Sequence, residues 1–124
     1  MKFARWVFAI AGIYGVVILT PLFFMEKMIG EQDPPPITHP MFFYGFAGAG
    51  LAWQIVFLAI AKNPRRFRPL ILISLVEKIP YGVSGIVLYL QHRMKSPADL
   101  GFACFDLFWA LLFVIAWMKT APAE

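Results

Sequence analysis

Charged residues are scarce in this sequence. Lysine, arginine, aspartate and glutamate together make up 15% of the 124 residues, whereas soluble domains carry about 25%. Hydrophobic residues make up 60%, above the roughly 45–50% of soluble domains. Few charges combined with so much apolar material exclude an ordinary soluble domain and indicate a membrane protein.

Metal-ligating and nucleotide-binding patterns are also lacking. The single cysteine, Cys104, excludes an intrachain disulfide and lies in an apolar run, while His39 and His92 fall in different loops. The sequence contains no phosphate loop, dinucleotide fingerprint or nucleophile elbow. It therefore predicts neither a metal nor a cofactor, and its net charge of +4 lies in short loops rather than in a nucleic-acid-binding patch.

Long hydrophobic runs are abundant instead, at about residues 5–25, 41–61, 69–90 and 98–118. Each approaches the ~20 residues that a helix needs to cross a bilayer, where only helices and closed barrels satisfy their backbone groups. We therefore expect one all-α transmembrane domain over residues 1–124, an integral four-helix bundle. The first run exceeds the apolar core of a signal peptide and no small-residue cleavage site follows it, so a retained helix is expected.

The loops predict the orientation of these helices, because lysine and arginine favour the cytoplasmic side. With the N-terminus inside, seven basic residues lie inside and three lie outside. The inner set is Lys2, Arg5, Lys62, Arg65, Arg66, Arg68 and Lys119, and the outer set is Lys27, Arg93 and Lys95. Both termini are therefore expected in the cytoplasm. The connection 26–40, with prolines at 34–36 and 40, is expected to be a stiff, non-helical loop.

Two carboxylates interrupt the apolar runs, Glu77 in the third and Asp106 in the fourth. Burying a carboxylate in hydrocarbon costs at least ~2.5–3.5 kcal/mol, so an intramembrane acid needs a partner and marks a functional-site hypothesis. Structural hydrogen bonding between helices is the alternative. Glu77 and Asp106 are the candidate catalytic residues, although the sequence leaves open whether the protein is an enzyme.

Polar residues from all four runs fall at one depth. A rise of 1.5 Å per residue places Gln54 and Glu77 about 11–12 Å from the inner face, and Tyr14, Tyr81 and Asp106 about 13–18 Å from it. We therefore expect these five side chains to surround one cavity that binds a ligand.

Aromatic residues are expected to form the walls of that cavity. Phe102, Trp109 and Phe113 share a face of the fourth run with Asp106, because residues three or four apart lie on one side of a helix. They are therefore candidate ligand-binding residues.

Lys78 is the candidate charge partner, and two positions for it stay open. It follows Glu77 directly, so the two side chains leave the helix about 100° apart and are not expected to pair. Lys78 either extends toward the membrane surface or neutralises Asp106. The first position would favour a charged ligand site and the second a structural network.

A group of small residues in the second run predicts close helix packing. Gly45 with Ala49, and Gly48 with Ala52, are four apart, which lets helices approach closely. We expect packing inside the bundle, or else a face for a homodimer or a membrane-protein partner.

Several of these segments carry a resemblance. Residues 42–46, residues 51–54, Arg68-Pro69, Glu77-Lys78 and Asp106 together resemble a group of small bacterial four-span proteins to which no activity is attached. The architecture is also similar to DoxX-like membrane proteins and, more distantly, to the EXPERA group of sterol isomerases and the sigma-2 receptor. The EXPERA comparison is carried by the two acids, and it implies an acidic membrane cavity for amphipathic or sterol-like ligands. The resemblance also implies a bacterial inner-membrane location.

Three functional hypotheses follow. The first is binding of a hydrophobic or amphipathic, lipid-like molecule in the acidic and aromatic cavity, with an isomerase-like activity as an extension. The second is a small accessory or assembly subunit of a larger membrane complex. The third is a proton-coupled small carrier.

Overall fold

The computed structural model describes residues 2–94 and 96–121, and over these residues all regular structure is helical. The α-helices are α1 Lys2–Leu19, α2 Glu26–Gln32, α3 Pro40–Lys62, α4 Arg68–Leu90 and α5 Pro97–Lys119. A 3-10 helix, Thr20–Phe24, prolongs α1. Lys95, one of the three basic residues counted on the outer side, lies outside the described residues.

Four of these helical segments are long and apolar enough to cross a membrane. They are Lys2–Phe24, Pro40–Lys62, Arg68–Leu90 and Pro97–Lys119, each of 23 residues. At 1.5 Å per residue each is about 35 Å long, sufficient for the ~30 Å hydrocarbon core. They coincide with the four apolar runs of the sequence, which indicates an integral membrane protein.

Prolines mark the starts of the last three long helices. Pro40, Pro69 and Pro97 occupy the first turn of α3, α4 and α5, where a missing N–H costs nothing. Pro80, in contrast, lies inside α4, which continues through it to Leu90. The carbonyl of Val76, one residue before Glu77, therefore receives no hydrogen bond from the backbone of Pro80.

The prediction of a non-helical connection from 26 to 40 is wrong for its first half, because Glu26–Gln32 forms α2. The backbone N–H of Ile29 donates to Met25 and that of Asp33 donates to Ile29, at 2.9 and 2.8 Å. The prolines begin only at residue 34, so they leave these two turns free to form. Gly30 is buried against Pro36, which folds the proline segment back onto α2.

The helices pack mainly as two pairs, α1 with α3 and α4 with α5, and lesser contacts join α1 to α5 and α3 to α4. Glycines permit both close pairings. A Cβ on Gly12 of α1 would lie 2.9 Å from the carbonyl oxygen of Gln54, and a Cβ on Gly82 of α4 would lie 2.9 Å from that of Ala103. Gly85 likewise faces Ala103.

The expected packing of the α3 small residues inside the helix assembly is wrong. A Cβ on Gly45 would meet no atom within 4 Å, and one on Gly48 would meet only Phe23, at 4.0 Å. Ala49 and Ala52 are exposed. The small residues of α3 that do pack lie on another side of the helix: Ala47 is fully buried, and a Cβ on Gly50 would lie 2.9 Å from Leu19 of α1.

An aromatic core fills one half of the molecule. The rings of Phe8 and Phe113 stack at 4.3 Å between centroids, and Phe57 meets Phe113 edge-on at 5.0 Å. All three side chains are fully buried. This core occupies the half of the molecule nearer the loop between α3 and α4. Gln54, Glu77 and Asp106 therefore lie at the border of the core that faces the opposite end of the helices.

Charge is segregated between the two ends of the helices. The end that holds the α3–α4 loop, here called the basic end, carries Lys2, Arg5, Lys62, Arg65, Arg66, Arg68 and Lys119. The opposite, acidic end carries Glu26, Glu31, Asp33 and Asp99, together with Lys27 and Arg93. At the basic end the described part of the chain has no acidic residue.

Candidate functional site

Lys78 lies between the two membrane-embedded carboxylates. Its Nζ is 3.5 Å from Oε2 of Glu77 and 3.5 Å from Oδ1 of Asp106. The lysine side chain is 6% exposed, and the two carboxylates are 16% and 19% exposed. Lys78 is ten residues from the start of α4, about 15 Å along the helix, which places it near mid-span. Glu77, Lys78 and Asp106 are called the charged triad below.

Lys78 takes the second of the two positions that the sequence leaves open, because it reaches Asp106 and does not extend to the surface. That position was expected to favour a structural network, but the cluster pairs one ammonium group with two carboxylates and is therefore not charge-balanced. The prediction that Lys78 and Glu77 would not pair is wrong, because the two long side chains bend toward each other although their Cβ atoms diverge. The Nζ also lies over the Phe57 ring, 5.3 Å from its centre, so a cation–π interaction with the aromatic core stabilises the ammonium group.

Gln54 connects the triad to the other helix pair. Its Nε2 donates to the backbone carbonyl of Gly50 at 2.8 Å and to Oε1 of Glu77 at 3.3 Å. The side chain is 1% exposed and lies directly against Gly15 of α1, where any Cβ would overlap the amide. Helices α1, α3 and α4 therefore all fix the position of the Glu77 carboxylate.

Three buried polar atoms around this site have no hydrogen-bond partner: Oε1 of Gln54, Oε2 of Glu77 and Nε1 of Trp109. Such atoms are rare because an unpaired buried polar group costs about 1–3 kcal/mol. Trp109 is 6% exposed and lies one turn beyond Asp106 on α5. The site therefore has spare capacity for polar contacts.

A cavity of about 470 Å³ opens at the acidic end, on the α4 face above the triad. This acidic-end cavity is lined by residues that include Asp33, Tyr81, Ser84, Leu88, Arg93 and Asp99. Tyr81 is one helical turn from Lys78, and its ring stacks with Phe46 of α3 at 6.0 Å. Glu77, Lys78 and Asp106 do not line the cavity, so its inner end lies at Tyr81, one helical turn from the triad.

Two predicted cavity residues lie elsewhere. Tyr14 and Phe102 line a separate, open depression of about 590 Å³ on the outer surface, together with Phe105 and Phe108. The Tyr14 ring meets Phe105 edge-on at 5.2 Å. Tyr14 and Phe102 therefore line a different depression from the one that Tyr81 lines, although Tyr14 remains close enough to Asp106 and Tyr81 to interact with both electrostatically. On α1, Gly12 and Gly15 rather than Tyr14 lie against the Gln54 side of α3.

Trp109 and Phe113 are buried, but neither lines either of these cavities. Phe113 belongs to the aromatic core, and Trp109 follows it at 6.4 Å between ring centres. On the α5 face that was predicted as a cavity wall, Trp109 and Phe113 are instead packed in the interior, and Phe102 lies at the open depression. Of the predicted site residues, Gln54, Glu77, Lys78 and Asp106 form one connected chain of contacts in that order, and Tyr81 lines the cavity one turn further along α4.

Sequence reasoning missed most of the polar mouth of the acidic-end cavity. Asp33, Arg93 and Asp99 come from three separate stretches of chain. Their association depends on how α2 and the proline segment fold back, which no local pattern specifies. The one available signal is the clustering of acids in the loops of this end.

A stacked and hydrogen-bonded contact joins α4 to α5 at the basic end. The Arg68 guanidinium lies 3.9 Å from the centre of the Trp117 ring, and its Nε and Nη2 donate to the Trp117 carbonyl at 3.2 and 3.1 Å. The Thr120 hydroxyl donates to the carbonyls of Ala116 and Trp117. Arg68 thus satisfies the C-terminus of α5 and is more than a topology signal.

The described residues contain no group of three or more histidine, cysteine, aspartate or glutamate side chains able to hold a metal ion. No protein-family model matches the chain. Comparisons with curated proteins and with solved structures give no match either.

Proposed function

We propose that this chain is a membrane protein that binds an amphipathic, lipid-like or sterol-like molecule, with the apolar part among the helices and a polar or cationic group at the charged triad. The observation that carries the proposal is the position of the acidic-end cavity, whose inner part is formed by Tyr81 one turn from Lys78. A cavity of about 470 Å³ falls within the roughly 300–1,000 Å³ range of small-molecule sites.

The lining of the cavity suits such a molecule. Leu88 and the Tyr81 ring offer apolar contact, while Ser84, Arg93 and Asp99 offer hydrogen bonds and charge. The unpartnered acceptor atoms beside the triad would receive hydrogen bonds from the polar group.

The test is ligand retention. The protein is purified in lipid nanodiscs, and bound lipids are identified by native mass spectrometry for the wild type and for Ser84→Trp, which fills the cavity. Val83→Trp, on an exposed neighbouring position of α4, is the matched control. We expect a defined lipid-like species on the wild type and on the control but not on Ser84→Trp. Equal retention by all three would refute the cavity as the site.

An isomerase-like activity is the extension of this proposal that the EXPERA resemblance implies. A protonated carboxyl of Glu77 or Asp106 beside a bound substrate would serve as a general acid. Turnover of a sterol-like substrate that disappears in both Glu77→Gln and Asp106→Asn would support it.

An accessory-subunit role is the second candidate, and the exposed small-residue face of α3 favours it. Gly45, Ala49 and Ala52 are exposed, and nothing packs on Gly45. Another helix could approach closely there, either from a second copy or from a larger membrane protein. Gly45→Leu would then abolish co-purification of the partner while ligand retention stays unchanged.

The finer architecture belongs to the same proposal. We infer a four-helix bundle with both termini in the cytoplasm, in a bacterial inner membrane, related to DoxX-like and EXPERA proteins. The concentration of basic residues at one end supports this orientation. A reporter fused to the C-terminus that is active only outside the cytoplasm would contradict it.

A further inference from the structure

The charged triad contains two carboxylates and one ammonium group. Lys78 is 3.5 Å from both acids, and the described residues provide no second cation within ion-pair distance of Glu77 or Asp106. With both acids ionised the triad would hold one uncompensated negative charge near mid-membrane. An unpaired charge there is expensive, so the triad favours uptake of one positive charge.

The hydrogen-bonding pattern points the same way. Both donor positions of the Gln54 amide are used, on Gly50 and on Glu77, and its unpartnered atom is the acceptor Oε1. Oε2 of Glu77 accepts no hydrogen bond, and it shares the Lys78 ammonium group, 3.5 Å away, with Asp106. Gln54 is 1% exposed, so bulk water does not satisfy its Oε1. The site therefore has an acceptor without a donor and two carboxylates for one ammonium group, and a proton or a second ammonium group supplies what is lacking.

We propose that the charged triad is a site for one exchangeable positive charge. A proton on a carboxyl of Glu77 or Asp106 fills it when the acidic-end cavity is empty, and the cationic head of an amphipathic ligand fills it when the cavity is occupied. Binding then moves one proton from the carboxyl to bulk water as the cation arrives, and no bond to the ligand forms. This inference rests on the proposed ligand-binding function and specifies the ligand as a cation.

Other polar and titratable groups lie near the triad, and a proton released by one of them must be distinguished from a proton released by the triad. Those that face the triad or line the cavity are Tyr14 from α1, Gln54 from α3, Tyr81 from α4, Asp99 from α5, Asp33 after α2 and Arg93 after α4. Gln54 does not titrate, and none of the others belongs to the triad. Substitution of the triad acids therefore assigns the proton.

The test uses dodecyltrimethylammonium, whose charge is independent of pH, and nanodisc-embedded protein. Calorimetric titrations in buffers of different ionisation enthalpy give the number of protons released per bound ligand. We expect one proton, and therefore an affinity that rises about tenfold per pH unit while the triad is protonated and becomes independent of pH once the proton has left. At low pH the proton occupies the site, so the cation binds weakly.

Variants identify the source of the proton. Glu77→Gln and Asp106→Asn each leave one carboxylate opposite one ammonium, so release should fall to zero. Glu31→Gln, an exposed acid outside the cavity, should behave as the wild type. Infrared difference spectra of the wild type should also show a protonated-carboxyl band that disappears on ligand addition.

The outcomes separate the two proposals. Binding of the cation without proton release or loss of the carboxyl band would overturn the exchange inference and leave the ligand-binding function standing. Binding of 1-dodecanol but not of the cation would do the same. Failure of both amphiphiles to bind would instead contradict the proposed function, and a wild-type carboxyl band absent from the start would overturn the inference independently of any ligand.

Discussion

Gly15 offers a sharp test of how the triad is positioned, although it touches none of the charged residues. Its backbone lies against the Gln54 amide, and a Cβ there would overlap the amide oxygen and carbon. Gly15→Ala must therefore displace Gln54, whose Nε2 then loses its bonds to Gly50 and Glu77. We therefore expect this substitution on α1 to remove the hydrogen bond that positions the Glu77 carboxylate on α4.

The magnitude follows from three opposing contributions. Overpacking costs about 1–3 kcal/mol, and the lost hydrogen bond to the carboxylate about 1.5–3 kcal/mol. The higher helix propensity of alanine returns about 1 kcal/mol. Gly15→Ala should therefore lower the free energy of unfolding by roughly 1.5–5 kcal/mol, the balance of these ranges.

The assay is unfolding in bicelles by steric trapping, with Gly45→Ala and Gly101→Ala as controls. A Cβ at Gly45 or Gly101 meets no atom within 4 Å, so these variants should be neutral or slightly stabilised. Gln54→Ala should remove most of the cost of Gly15→Ala, because the overlapping amide is gone. Equal stability of the Gly15 and Gly45 variants, or additive effects of Gly15→Ala and Gln54→Ala, would refute this account of the contact.

Three further predictions test other parts of the structure. Lys78→Met should destabilise the protein by about 3–5 kcal/mol, because it leaves buried acids unpaired. Adding Glu77→Gln and Asp106→Asn should restore most of that stability in the same unfolding assay. A triple variant as unstable as Lys78→Met would contradict this prediction. Arg68→Lys should cost about 1 kcal/mol through loss of the stacked, two-donor contact with Trp117, while Arg66→Lys should be neutral; equal stabilities would show that only charge matters. Ser84→Trp should weaken binding of the alkylammonium probe at least tenfold in calorimetry and Val83→Trp should not, and equal affinities would place the ligand outside the acidic-end cavity.

The four long helices could be predicted from the sequence because hydrocarbon imposes a length and a composition on every crossing segment. The starts of α3, α4 and α5 could also be predicted, because proline favours the first turn of a helix. α2 could not be excluded by the prolines that follow it, since a proline restricts only itself and its neighbours.

The centre of the site was predictable for the same kind of reason. Gln54, Glu77 and Asp106 are costly in a membrane, so depth alone brings them together. Which side of each helix faces the interior was harder to predict from the sequence. Tyr14, Phe102 and Phe113 have suitable positions along their helices, but the rotation of each helix is decided by glycines such as Gly15, whose partners lie on another helix. Lys78 was ambiguous because a long side chain can reach partners that its Cβ does not face.

The most direct test is where the head of a bound cationic amphiphile lies. Solid-state NMR recoupling between the ¹⁵N-labelled head of dodecyltrimethylammonium and the ¹³C-labelled side-chain carboxyls measures this in lipid. Strong couplings to the Glu77 and Asp106 carboxyls that vanish in Ser84→Trp are the predicted result. Coupling to neither carboxyl, with the head located instead at the depression lined by Tyr14 and Phe102, would contradict the assignment of the triad as the binding site.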